Sequence, residues 1–269
     1  MSSGLDPAVP NGVDITRPSI ARVYDYLLDG KDNFAADRAV AQKLMASNLD
    51  PKRLALVTRD FLVRAVRFAA ERGVAQFLDL GSGLPTSPSV HEVARAVIPG
   101  ARVAYVDNDP AVIAHNRALL ATGDDLVTVH ADVRDPGSVL GSEAVRRCLD
   151  FGRPVALLLL GVVHFIGDED NAEGMIARYR DALASESVLV LSTGTTEGAD
   201  PDVVSGTKDA YRNYSTPFRL RSRAEIQRLF DGFDVVSPGV VPMQDWRPAP
   251  TTDRTPLQAT NLSGVGVKP

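Results

Sequence analysis

The 269-residue sequence has one cysteine, one tryptophan and four histidines. A lone Cys148 cannot close an intrachain disulfide. His91, His115, His130 and His164 show neither an HxxxH spacing nor a paired CxxC, so no structural or catalytic metal is expected. Lysine is scarce as well: five lysines stand beside 24 scattered arginines, and the net charge is −5. That balance leaves no electrostatic footprint for nucleic acid and favours a small-molecule or protein substrate. No apolar run reaches the roughly 18 to 20 residues that a membrane-spanning helix needs, and the longest, Val155 to Val163, reads as a buried strand. Residues Met1 to Asp14 carry no basic region followed by an apolar stretch, so the expectation is a cytoplasmic protein without a secretory leader.

What is present is 44% hydrophobic residues, enough for one large α/β domain with additions. Residues 1–15, rich in Ser, Gly, Pro and Asp, read as a loose tail. From Thr16, a candidate N-cap, Ile20, Val23, Tyr24, Leu27 and Leu28 recur at helical spacing, and Gly30 supplies a stop. Helices from about Ala35 to Ala46 and Pro51 to Arg72 complete a helical cap over residues 16–73. The pattern then changes. Short apolar segments at Gln76–Leu80, Arg102–Asp107, Leu126–His130, Val155–Leu160 and Val188–Ser192 alternate with amphipathic stretches, which predicts a doubly wound parallel sheet over 74–269. Helix starts are expected at Ser87-Pro88, after Asp168, and at the capping box Ser222 to Glu225; Phe233–Val236 and Ser263–Lys268 are candidate last strands.

The chemistry concentrates at the carboxyl ends of the first strands. Phe77-Leu-Asp-Leu-Gly-Ser-Gly83 is an apolar strand ending in a turn whose Gly81, Ser82 and Gly83 bring backbone N–H groups close to a ligand. A dinucleotide fingerprint would have a third glycine where Thr86 stands, so NAD is disfavoured. Asp79, at the end of that strand, can meet the amino group of the methionine part of S-adenosylmethionine. Asp107, with Asn108 beside it, ends the second strand where an acid can accept from both ribose hydroxyls. Asp132, next to Val133 after the third strand, suits the amino group and face of adenine. Each acid alone could be a helix cap or turn acid. Three at successive strand ends match the place where open parallel sheets bind ligands.

The ordered series FLDLGSG, YVDNDP, HADV and LLLLGVVHF resembles class I S-adenosylmethionine-dependent methyltransferases over about Val74 to Lys268. More narrowly, ARVYDYLLDGKDNFAADR (Ala21 to Arg38), FLDLGSGLPT, HEVA and AYVDNDP resemble an actinobacterial methyltransferase family formerly classed as a domain of unknown function. The resemblance implies a Rossmann-like seven-stranded, mostly parallel sheet with an antiparallel last strand, and S-adenosylmethionine as cofactor. The broader class often has a third glycine near position 85, where this chain has Pro85. Leu160-Gly161-Val-Val-His164 lies where that class places the residues nearest the transferred methyl, which makes His164 the candidate base, with an orienting or packing role as the alternative.

Upstream, polar and aromatic residues crowd the break at Gly30. A ligand-facing loop would explain them: Lys31 could meet a carboxylate, Asn33 could donate and accept, and Tyr24 could lie against the sulfonium, the whole acting as a lid. Alternatively Lys31 and Asp32 pair with Asp37 and Arg38 at the surface. Arg59 and Tyr211 are weaker candidates for the same pocket. Against a methyltransferase stand a binding protein that holds the cofactor without turnover, and a nicotinamide oxidoreductase, for which the chain lacks both the third glycine and a Tyr-x-x-x-Lys.

Overall fold

The computed structural model describes residues 13–46, 50–119, 123–198, 200–211, 217–255, 257 and 261–269. Most of the tail expected over 1–15 lies outside them. Helix α1 (Ile20–Leu27) starts at Ser19 rather than Thr16. Ser19 is extended and its hydroxyl accepts from the Arg22 amide, whereas the Thr16 amide and hydroxyl both donate to Asp14 Oδ1, at 2.9 and 2.6 Å. After α1 it is Asp29, at φ 58°, that takes the left-handed conformation expected of Gly30. Helix α2 (Ala35–Ala46) is followed by α3 (Pro51–Glu71), which Asp50 caps at Arg53 and Pro51 opens.

Strands β1 (Gln76–Leu80), β2 (Arg102–Asp107), β3 (Leu126–His130), β4 (Ala156–Leu160) and β5 (Val188–Gly194) run parallel, and β8 (Asn261–Val267) pairs antiparallel with β5. The order is β3-β2-β1-β4-β5-β8-β6, where β6 (Asp234–Val235) is a two-residue strand; β7 (Val241–Pro242) also pairs with β8, so the sheet has eight strands among the described residues instead of seven. Helices α4 (Val90–Arg95), α5 (Pro110–Leu119), α6 (Pro136–Gly141), α7 (Glu143–Cys148), α8 (Ala172–Ala182), α9 (Pro201–Tyr211) and α10 (Arg223–Arg228) connect or flank the strands. Two starts differ from expectation. The cap of α4 is Ser89, because Ser89 rather than Ser87 has Glu92 three residues on to close a capping box. The cap of α8 is Asn171, while Asp168 is paired with Arg219 at 2.6 Å. The capping box at Ser222 and Glu225 forms as expected.

Strand periodicity sorts the core into two faces. Leu78, Leu80, Leu157, Leu159, Leu189 and Leu191 pack with α8 and α10 on one side. Phe77, Leu158, Val188 and Val190 pack on the other against Phe61, Ala65, Val66 and Ala69 of α3, and Trp246 sits edge-on to Phe61 at 5.5 Å. Helix α3 is therefore part of the sheet core, whereas α1 and α2 stand outside it. Those two share a small third cluster: Val23 and Leu27 against Val40, Ala41 and Leu44, with Ala55 from the start of α3. No helix among the described residues is long and apolar enough to cross a membrane.

A buried ion pair holds the α1–α2 corner. Arg22 Nε donates to Asp37 Oδ2 at 2.8 Å, and the amides of Ser19 (2.8 Å) and Phe34 (2.9 Å) donate to the same carboxylate. Removing one partner strands the other charge in a dry site. Asp37→Ala is expected to lower the unfolding free energy by about 3 kcal/mol in urea titrations, and Asp37→Asn by less, since it keeps an acceptor. A loss below about 1 kcal/mol for the alanine variant would show that the pair does not hold the corner.

Candidate functional site

A cavity of about 560 Å³ opens along the carboxyl edge of the sheet and is roofed by α1 and the start of α3. Its floor is made by turns. Leaving β1, Gly81 (φ 74°) and Gly83 (φ 66°) both take conformations that L side chains avoid, and a Cβ on Gly81 would lie 2.4 Å from Val162 Cγ2. Leaving β4, Gly161 (φ 69°) leads into the 3₁₀ turn Val163–Phe165 that carries His164.

Three acids sit at the ends of β1, β2 and β3. Alternation along β1 puts Asp79 on the same face as Phe77, toward α3. Its carboxylate is 6% exposed and makes no hydrogen bond or ion pair with any described residue, and burial pushes its pKa up to about 7. Asp107 is also buried, its pKa raised to about 6 by desolvation against the pull of two amides: Gly83 N–H donates to Oδ2 and Asp109 N–H to Oδ1, each at 2.9 Å. Thus Asp107 fixes the glycine turn as well as facing the cavity. Asp132 is more open, and its pKa is lowered by the Arg134 guanidinium, which donates to both of its oxygens.

Across from Asp79 stands Arg59 of α3. One of its amino groups donates to the carbonyls of Thr86 (2.9 Å) and Pro88, and its Nε is buried without a partner among the described residues. A buried carboxylate and a guanidinium, each with unmet hydrogen-bonding capacity, thus line one wall. Such an arrangement suits a ligand bearing both an ammonium and a carboxylate.

The other end of the cavity, beyond β4 and β5, is different in kind. Phe165, Tyr211 and Phe218 form an aromatic wall in which Tyr211 and Phe218 stack with centroids 4.7 Å apart. His164 packs on Phe165 at 4.4 Å and Phe218 at 5.5 Å, and its Nδ1 accepts from the Gly194 amide at 3.3 Å. Burial, reinforced by the Arg221 charge, pushes the His164 pKa down to about 3. Arg221, 1% exposed, donates to the Val163 (2.6 Å) and Ile166 (2.9 Å) carbonyls and so clamps the turn that presents His164.

Of the residues singled out from the sequence, Asp79, Gly81, Ser82, Gly83, Asp107, Asn108, Asp132, Val133, Gly161, His164 and Tyr24 all line this cavity, as do Arg59 and Tyr211. Lys31 and Asn33 do not. Lys31 is exposed, and Asn33 is used up inside the corner: its Nδ2 donates to Asp25 Oδ2 and the Gly30 carbonyl, and its Oδ1 accepts from Arg38. The surface pairing considered for Asp32 and Asp37 is not what forms either, since Asp37 holds Arg22 and Asp32 lies 3.5 Å from His115. Ser19, Phe218 and Arg221 line or brace the site without any motif to mark them. Ser19 donates its hydroxyl to Asp109, tying α1 to the turn after β2.

A parallel sheet with an antiparallel β8, a Gly-x-Gly turn and acids at three successive strand ends defines the class of S-adenosylmethionine-dependent methyltransferases with a Rossmann-like fold. The family model described as S-adenosyl methyltransferase matches residues 7–269, and the chain belongs to that family. Among solved structures, a protein from Thermobifida fusca YX named as a "putative methyltransferase" is 44% identical with a TM-score of 0.89, over 96% of this chain and 98% of that one. A duf574 family protein from Streptomyces avermitilis MA-4680 is 39% identical with the same TM-score, over 95% and 99%. No curated protein matches the sequence. The chain is thus a methyltransferase that uses S-adenosylmethionine.

The raised pKa of Asp79 has a consequence for the ligand-free protein. Its folded-state pKa of about 7 lies above the ordinary 3.8, so the folded chain binds that proton more tightly than the unfolded chain. Asp79 therefore costs nothing at low pH and destabilises the fold increasingly as pH rises from about 4 to about 7. Asp79→Asn should match the wild type near pH 4 and exceed it by roughly 1–3 kcal/mol at pH 8 in urea unfolding of ligand-free protein. A difference that stays constant with pH would contradict the buried, unpaired state of this carboxylate.

Proposed function

We propose that the cavity holds S-adenosylmethionine across β1, β2 and β3 and a neutral small-molecule acceptor at the β4–β5 end, in a protein that works in the cytoplasm. In this reading the methionine ammonium meets Asp79 and its carboxylate meets Arg59; the ribose hydroxyls donate to Asp107, beside Asn108; and adenine lies by Val133 with its amino group toward Asp132. Gly81, Ser82, Gly83 and Gly161 supply the close backbone walls. The observation that carries the reading is the facing of Asp79, without a partner, and Arg59, whose Nε has none, on one wall of a cavity edged by two further acids.

The bound cofactor supplies a methyl group on a sulfonium, ready for in-line displacement. The residues of this chain then have to align the acceptor and keep water away. His164 does not serve as the base expected from its position: neutral at physiological pH, with its Nδ1 lone pair directed at the Gly194 amide, it has no lone pair free to take a proton. Its part is to orient the acceptor. Tyr24, whose hydroxyl donates to the Ala55 carbonyl, offers an aromatic wall to a cation.

Helices α1 and α2 act as a lid, supported by Ser19, Val23, Tyr24 and Leu27 lining the cavity from above. A chain lacking residues 1–34 should fold its sheet yet bind S-adenosylhomocysteine at least about tenfold more weakly, as measured by calorimetry alongside circular dichroism. Full affinity in the well-folded truncated chain would leave these helices as scaffold.

Calorimetry also tests the cofactor assignment. S-adenosylhomocysteine should bind in the micromolar range or tighter, while NAD at millimolar concentration should produce no thermal shift. Asp107→Ala should weaken S-adenosylhomocysteine by roughly 1.5–3 kcal/mol, and Asp132→Ala by less, because Arg134 already occupies that carboxylate. Equal or reversed losses would reject the two roles, and a NAD shift comparable to that of S-adenosylhomocysteine would reject the cofactor site itself.

A further inference from the structure

We infer that the methyl acceptor is a neutral, planar aromatic or conjugated molecule recognised through a hydrogen-bond-accepting oxygen by the Nε2–H of His164. The inference rests on the methyltransferase reading of the same cavity and goes on to the substrate class.

The distribution of charge within the cavity comes first. Its charged lining residues among those described are Arg59, Asp79, Asp107, Asp109, Asp132 and Arg134, and all six belong to the end built by β1, β2, β3 and the facing helix α3. Around the turn after β4, the end of β5, α9 and Phe218, no lining residue among those described carries a formal charge. A carboxylate or phosphate on the acceptor would lose its hydration there without an ion-pair partner among the described lining residues, the Arg221 guanidinium behind the turn being turned to the Val163 and Ile166 carbonyls. Charged acceptors are disfavoured on that ground.

Shape comes second. Tyr211 and Phe218 are parallel within 13°, and Phe165 stands tilted or edge-on to both, with centroids at 5.4 Å from Tyr211 and 5.8 Å from Phe218. Aromatic walls of this kind favour a flat ring over a flexible chain, through stacking and edge contacts that add to simple area burial.

The polar handle comes third, and it fixes the sense of the hydrogen bond. The Gly194 amide is a donor, so the His164 Nδ1 it points to is an acceptor and the neutral ring carries its proton on Nε2. Nε2 has no hydrogen-bond partner among the described residues, and His164 is a wall of the cavity. A donor held this way selects an acceptor atom. The tautomer is held from both sides of the turn: Gly194 fixes the ring from β5, and the buried Arg221 fixes the backbone at Val163 and Ile166. The depressed pKa agrees with this tautomer, because a ring that does not ionise keeps Nε2 a donor at every physiological pH.

The test uses the full chain saturated with S-adenosylhomocysteine and three bicyclic probes: chromone, which offers a carbonyl oxygen; indole, which is planar and neutral but only donates; and 1-naphthoate, which is planar and charged. Titration calorimetry should find chromone bound at least about tenfold more tightly than either of the others. His164→Phe keeps an aromatic ring against Phe165 and Phe218 but has no donor, and should bring chromone within about twofold of indole; His164→Gln, whose amide can accept from Gly194 and still donate, should keep most of the preference. Affinity for S-adenosylhomocysteine should be the same in all three proteins, which also reports that they are folded. Equal or tighter binding of 1-naphthoate, no binding of chromone, or an undiminished chromone preference in His164→Phe would overturn the assignment while leaving the cofactor site intact. Failure of S-adenosylhomocysteine to bind the wild-type chain would instead overturn the cofactor reading, and this inference with it.

Discussion

A side chain at position 81 would put its Cβ 2.4 Å from Val162 Cγ2 while holding φ at 74°, so the turns leaving β1 and β4 can meet as they do only through a glycine. The rest of the site is arranged around that contact. On one side of it, Gly83 reaches the Asp107 carboxylate, which locks the glycine turn to the end of β2. On the other, the backbone passes through Gly161 and Val162 into the turn of His164, held by Arg221 and by the Gly194 amide. Two neighbouring strands thus set the distance between the charged and the aromatic ends of one cavity.

The charged end works against the fold that carries it. Asp79 and Asp107 are buried beneath the cavity with pKa values raised to about 7 and 6, so in the ligand-free chain their ionisation is resisted. Core leucines at 78 and 80 flank Asp79 in sequence, and a leucine in its place would satisfy the sheet better. The acid is understandable only through a cationic partner. Within the chain the cation facing Asp79 is Arg59, which is engaged with the Thr86 and Pro88 carbonyls and leaves Nε unmet.

Helices α1 and α2 have a small core and a buried ion pair of their own. Val23, Leu27, Val40, Ala41 and Leu44 bury one another, and Arg22 with Asp37 closes the corner. The two helices meet the rest of the molecule through Ala55 of α3, which joins that small core, and through polar links that include Tyr24 to the Ala55 carbonyl, Ser19 to Asp109 and Asp32 toward His115.

How much of this could be read from the chain depended on whether the signal was local. The five parallel strands were legible because continuous apolar runs bounded by turn residues are a local pattern, and four of their starts, at Gln76, Arg102, Leu126 and Val188, coincide with the expected ones. The glycine turn and the three acids were legible because each sits at a strand end. Caps were less so: Ser87 and Ser89 both precede a helical pattern, and only the capping box with Glu92 in three dimensions separates them. Lys31 and Asn33 had the right chemistry for a ligand, but the chain spent Asn33 on Asp25, Gly30 and Arg38 and left Lys31 in solvent, a choice that composition does not record. The sequence by itself determined the strand and helix pattern, the Gly-x-Gly turn and the acids, because those are short-range consequences of periodicity and backbone freedom. Only the tertiary structure decided that α3 belongs to the sheet, that Arg59 faces Asp79, and that His164 is a donor, because each depends on groups far apart in the chain being brought within reach of one another.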